Sequence, residues 1–118
     1  MRLSILLLPL LLTAACGPRT SEVSTGGNLA AGEDDLYRVG CGSCHTIPGI
    51  VGAHGKVGPS LEGIGNHSYV AGQLPNQPPN MEHWIQHPQS VHPNTLMPEL
   101  GLTDAQSRDI AAYLYSLN

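Results

Sequence analysis

Two thiols and an imidazole fall within five residues, Cys41-Gly42-Ser43-Cys44-His45, and nothing else in the chain restricts its fold as severely. The C-x-x-C-H pattern is the attachment signature of c-type haem. Each sulfur adds to a porphyrin vinyl, and the two-residue gap matches the spacing of the vinyls. The adjacent histidine is carried beneath the macrocycle, where its imidazole can bind iron. A chain with this pattern has to fold around a flat, covalently held, largely apolar group. Rival uses of the same residues fit less well. A thioredoxin-like dithiol opens a helix after a strand in a βαβ unit, and no run of alternating β-branched residues occurs here. A zinc site needs four ligands, usually with a second Cys or His pair at short spacing. After Cys44 there is no further cysteine, and the remaining histidines are scattered singly.

The N-terminus reads as a targeting segment. Met1-Arg2 is followed by an apolar run from Leu3 to Leu12, interrupted by Pro9, and then by Thr13-Ala14-Ala15-Cys16. A charged start, a short apolar stretch and small residues before a cleavage point mark an exported protein. The run is too short to span a bilayer. Its ending is similar to the lipobox of bacterial lipoproteins, in which the cysteine is lipidated and becomes the mature N-terminus, although Thr13 replaces the commoner leucine. Ordinary cleavage would instead leave Cys16 as a stray thiol, a liability in an oxidising compartment. The expected organisation is a signal peptide over 1–15, a lipid-anchored flexible tether over 16–31 and a folded domain over 32–118. The expected location is the periplasmic face of a membrane, or the soluble periplasm if Cys16 is not lipidated.

Composition agrees with a cofactor at the centre. Without residues 1–15 the chain keeps 14 glycines, has no phenylalanine and is rich in proline. So small and aromatic-poor a chain struggles to build a core from its own side chains. The mature part carries Arg19, Arg38, Lys56 and Arg108 against nine acidic residues, which makes nucleic acid and anionic lipid surfaces poor partners.

Helix signals flank the motif. Glu33-Asp34-Asp35 are expected in a first turn, with Leu36, Tyr37 and Val39 following and Gly40 as the stop. Thr103-Asp104-Ala105-Gln106 is a capping box, after which Ile110, Tyr113, Leu114 and Leu117 form one stripe. These two helices should pack on each other. A third is expected from Met81 to His87, capped by Asn80 and stopped by Pro88. Gly49 to Gly65 and Leu74 to Pro79 read as loop.

A six-coordinate haem needs a second axial ligand, and methionine sulfur opposite histidine suits electron transfer. Met81 falls in a helical first turn, where a core or surface position explains it. Met97 sits in a loop stiffened by Pro93 and Pro98 and is the expected ligand.

On these residues the chain resembles class I cytochromes c across 32–118. The shared marks are Cys41-Gly42-Ser43-Cys44-His45, Gly58-Pro59-Ser60-Leu61, Trp84-Ile85-Gln86-His87-Pro88, Pro93-Asn94-Thr95-Leu96-Met97-Pro98 and Asp109-Ile110-Ala111-Ala112-Tyr113-Leu114. The stretch from Val57 through Asn76 is similar to cytochrome c domains fused to subunit II of some haem-copper oxidases. The resemblance implies an all-α cytochrome c fold, three to four helices and long loops wrapped around one covalently bound haem c. It implies that the Pro59 carbonyl holds His45, that Trp84 lies near the haem pocket, and that His67 inherits a propionate contact made by an arginine in the oxidase-fused relatives. For His67 an exposed loop residue is the plainer reading, and for Trp84 it is core packing. Gly32 stands nine residues before Cys41, one more than usual in the family, so a shifted helix contact is expected there. His54, His83, His87 and His92 carry no signal beyond loop and helix surfaces.

The function expected is a membrane-tethered monohaem electron carrier and not an enzyme, because His45 and Met97 together leave no open site on iron. Expected partners are a haem-copper oxidase, a quinol:cytochrome c oxidoreductase or a dehydrogenase. With Lys56 as the only lysine, docking through a lysine ring is unavailable, leaving an apolar contact or a partner with a basic rim. The alternatives are a haem-based ligand sensor with a displaceable Met97, and a fixed subunit of an oxidase or dehydrogenase.

Overall fold

The computed structural model describes residues 23–118; Cys16 and the expected targeting segment lie outside the described residues. Four helices carry the fold: α1 (Leu29–Val39), α2 (Pro78–Gln86), α3 (Pro88–Val91) and α4 (Asp104–Ser116). Two-residue strands β1 (Tyr69–Val70) and β2 (Leu74–Pro75) pair antiparallel, Tyr69 against Pro75 and Val70 against Leu74. This small hairpin lies inside the otherwise helical architecture that the motifs imply. Ala71 and Gly72, at φ 53° and 71°, turn its tip.

Helix α1 starts earlier than its charges suggest. The Asn28 side chain accepts the Ala31 N–H at 2.9 Å, capping an orphan donor of the first turn. Glu33-Asp34-Asp35 therefore fall beyond the first turn, and Asp34 pairs instead with Arg38 across one turn at 2.8 Å. Gly40 closes the helix at φ 87°, a left-handed position that glycine takes without Cβ strain. Residues 29–31, read as tether, are thus the first turn of α1. The preceding residues also belong to the folded body. Thr25 Oγ1 donates to the Arg108 carbonyl at 3.1 Å, and the Asn28 N–H donates to Asp109 Oδ1 at 2.6 Å. A polar, glycine-rich stretch looks like a linker, but here its polar groups are a cap and a strap.

Helix α4 begins with the expected capping box. Gln106 N–H donates to Thr103 Oγ1 at 3.2 Å, and Thr103 N–H donates to Gln106 Oε1 at 3.1 Å. Its inward stripe, Ile110, Ala111, Tyr113 and Leu114, is buried against Leu36 of α1 and Met81 and Ile85 of α2. Helices α1 and α4 cross at Gly32, which is buried; a Cβ there would meet the Asp109 backbone and sit 3.1 Å from the Ile110 nitrogen. The extra residue before Cys41 has not moved this glycine off the contact.

Helix α2 departs from expectation at both ends. It opens at Pro78-Pro79 rather than Met81, because proline is well accommodated in a first turn whose N–H groups have no partner. Asn80 does not cap it; its Nδ2 donates to the Pro75 carbonyl at 2.9 Å. The helix ends at Gln86, and the buried Pro88 starts α3.

Two tyrosines of α4 reach across the core. Tyr113 donates to the Pro48 carbonyl at 2.7 Å, and Tyr115 donates to Asn76 Oδ1 at 2.9 Å. Burial, with Glu82 nearby, pushes the Tyr115 phenol up to about 12. Its pKa is thus higher folded than unfolded, where a tyrosine titrates at about 10. The stability this contributes is whole below the unfolded value and is lost as pH rises from about 10 through about 12. Urea melts should show falling stability across this window, and Tyr115→Phe should flatten that limb. An unchanged slope in the variant would contradict the assignment.

Candidate functional site

The C-x-x-C-H segment leaves α1 as a 3-10 turn, Cys41–Ser43, with the Cys44 and His45 N–H groups both donating to the Cys41 carbonyl at 3.2 and 3.0 Å. Gly42 is demanded by packing, since a Cβ there would fall 2.7 Å from the Ala53 Cβ. The loop that follows folds back over the motif. Gly58 N–H donates to the Cys44 carbonyl at 2.8 Å, and His45 Nδ1 lies 2.7 Å from the Pro59 carbonyl. A carbonyl only accepts, so Nδ1 carries the proton and Nε2 is left with a free lone pair. Gly58 lies against the same ring; a Cβ would come 2.8 Å from Nδ1 and 2.9 Å from Nε2.

These groups line one cleft of about 690 Å³, within the range of roughly 300–1,000 Å³ typical of small-molecule sites. Cys41, Cys44, His45 and Pro59 form part of its wall, and Met97, Trp84, Met81, Ile85, Ile110 and Leu114 are among the other residues that line it. The structure therefore brings together both cysteines, the histidine and the loop methionine from segments more than fifty residues apart. Trp84 is half-buried and packs against the core. His67 also lines the cleft and is solvent-exposed. Met81 is 2 % exposed and sits in the core of α2, where a helical position explains it. Burial in the apolar wall raises the Cys41 thiol above its ordinary value.

Residues 30–118 match the family described as cytochrome c. The chain belongs to the cytochrome c family. This cytochrome c is also similar to cytochrome c oxidase subunit 2 of Alkalihalophilus pseudofirmus (strain ATCC BAA-2126 / JCM 17055 / OF4). The two are 33% identical over 78 residues, which is 65% of this chain and 22% of that one. The chain thus spans well under two thirds of that relative's length. Cytochrome c domains transfer electrons, and the family implies covalently bound haem c on the Cys41/Cys44 pattern.

The residues present fit that group. Paired thiols stand at the required spacing, one imidazole nitrogen is fixed by a carbonyl, a soft sulfur shares the cleft, and most of the wall is apolar. Gly58 entered the sequence reading only as a motif letter, yet it is the residue that admits the imidazole. A Gly-Pro pair shortly after C-x-x-C-H was the available signal. Gln89 was passed over altogether, although it hydrogen-bonds the loop bearing Met97. Its sequence context offers no sign of this. Among the described residues no helix is long and apolar enough to cross a membrane.

Proposed function

We infer that this cytochrome c is a monohaem electron carrier, exported and held at a membrane surface by lipid on Cys16. The supporting observation is the single cleft that His45, both cysteines and Met97 share. Cys41 and Cys44 would hold haem c by thioether bonds, with His45 Nε2 and the Met97 sulfur as axial ligands. When bound, haem supplies a one-electron Fe(III)/Fe(II) couple. The chain does the rest. The Pro59 carbonyl keeps the His45 imidazole oriented and adds to its basicity as a ligand. Leu36, Ile85, Ile110 and Leu114 keep water from the buried side, which favours the less charged state and raises the potential. With His45 and Met97 both holding the iron, no site for a substrate would remain on it.

The cleft mouth suggests how partners dock. Val57 and Leu96, which line the cleft, are 65% and 82% exposed, an apolar rim suited to brief redox encounters of small area. A respiratory oxidase, a quinol:cytochrome c oxidoreductase or a dehydrogenase would meet this rim. The likeness to an oxidase subunit favours, as a second reading, a fixed subunit of such a complex; co-purification after mild detergent extraction would select it. Incorporation of labelled palmitate, abolished in Cys16→Ala, tests the anchor.

Met97→Leu tests the ligand assignment. The oxidised variant should lose the methionine-to-iron charge-transfer band, and the reduced variant should bind carbon monoxide quickly where the parent does not. Its midpoint potential should fall by more than about 59 mV, the shift produced by a tenfold change in the relative stability of the two oxidation states. A parent that binds carbon monoxide as fast as the variant would instead support the ligand-sensor reading.

A further inference from the structure

Within itself the loop presenting Met97 is held by two hydrogen bonds, Thr95 N–H to the His92 carbonyl at 3.1 Å and Met97 N–H to Thr95 Oγ1 at 3.3 Å. Leu96 is 82% exposed at the cleft rim, and Asn94 sits at φ 66°, a left-handed conformation that asparagine tolerates better than other non-glycine residues but still adopts infrequently. One side chain outside the loop binds its backbone at three places. Gln89 Nε2 donates to the Thr95 carbonyl at 2.8 Å and to the Met97 carbonyl at 3.1 Å, while Gln89 Oε1 accepts the Asn94 N–H at 3.2 Å. Gln89 is itself anchored. It follows the buried Pro88 in α3, and its own N–H donates to Glu99 Oε1 at 3.3 Å, just past the loop.

We propose that Gln89 is a positioning residue for Met97: its carboxamide clamps the loop backbone at Asn94, Thr95 and Met97 and keeps the sulfur in place against exogenous ligands. The inference rests on Met97 being the axial ligand. Both ends of the carboxamide are used, which no hydrophobic side chain could imitate and which a carboxylate could imitate only at its acceptor end. The Oε1 bond holds Asn94 in its strained turn, and the two Nε2 bonds fix the carbonyls that set where residue 97 points. A ligand on a pre-ordered loop competes with free ligands at a higher effective concentration than one on a loose loop. Losing the clamp should therefore loosen the sulfur without unfolding the domain, since Gln89 is exposed and outside the core.

The test uses the oxidised holoprotein and free imidazole as competitor, with Gln89→Ala and Gln89→Glu beside the parent and Met97→Leu. Imidazole should bind Gln89→Glu, which loses the two Nε2 bonds, about tenfold more tightly and Gln89→Ala, which loses all three, at least as tightly, and the methionine-to-iron band should weaken. Thermal unfolding should move little. Amide exchange of Asn94 should quicken in Gln89→Ala but stay near the parent rate in Gln89→Glu, which keeps the acceptor. Parental imidazole affinity in both variants, with the band intact, would overturn the clamp while leaving Met97 as ligand. A parent lacking the band and binding imidazole as tightly as Met97→Leu would remove the ligand assignment and the clamp with it.

Discussion

Gly32→Val should unfold much of this cytochrome c. A Cβ at residue 32 would meet the backbone of Asp109 and Ile110, and a helical backbone cannot rotate aside as a side chain can. Helices α1 and α4 would have to separate along the interface that buries Leu36, Ile110 and Ala111 to 2% exposure or less. Ordinary overpacking costs about 1–3 kcal/mol; with the obstacle a main chain and a helix pair at stake, the loss should reach about 3 kcal/mol or more. For a domain of this size that lowers Tm by about 12 °C or more. Gly101 is the comparator. Unlike Gly32 it has a left-handed φ of 66°, but a Cβ there meets open space, so Gly101→Ala should cost only about 1 kcal/mol. Urea melts of the two holoprotein variants decide it; a Gly32→Val loss no larger than that of Gly101→Ala would refute the crossing argument.

Gly58→Ala should damage the site more than the fold. The new methyl group would press on the His45 ring, whose Nδ1 is tied to the Pro59 carbonyl at 2.7 Å. Either the imidazole tilts or the Gly58-Pro59 backbone withdraws. In the first case the ring leaves its ligand orientation; in the second it loses the carbonyl that fixes its tautomer. Stability should fall by about 1–3 kcal/mol, and the midpoint potential should shift from the parent's as histidine ligation changes. Carbon monoxide binding to the reduced variant on the histidine side would be a further sign. A variant with the parent's potential and spectrum would show that the ring has room to spare.

The parts legible in the chain were those whose chemistry is local. The cysteine pair with its histidine, the Thr103/Gln106 capping box and the stripe from Ile110 to Leu114 each span a few residues, so residue type and spacing suffice to specify them. The starts of α1 and α2 were misplaced because local composition pointed the wrong way. Gly26-Gly27-Asn28 resembles a linker and Pro78-Pro79 a loop, yet an asparagine cap and the tolerance of first turns for proline make both the beginnings of helices. The β1–β2 hairpin gave even less signal, having two residues per strand and a tip at Ala71-Gly72.

By itself the sequence determined the haem-attachment pattern and the two principal helices, because covalent spacing, caps and periodicity act over a handful of residues. Only the tertiary structure decided that Gly32 is a crossing point, that Gly58 makes room for an imidazole, and that Gln89 binds the loop around Met97. Each of these depends on how closely two separate segments approach, a distance set by how the whole core packs and written in no short stretch of the chain.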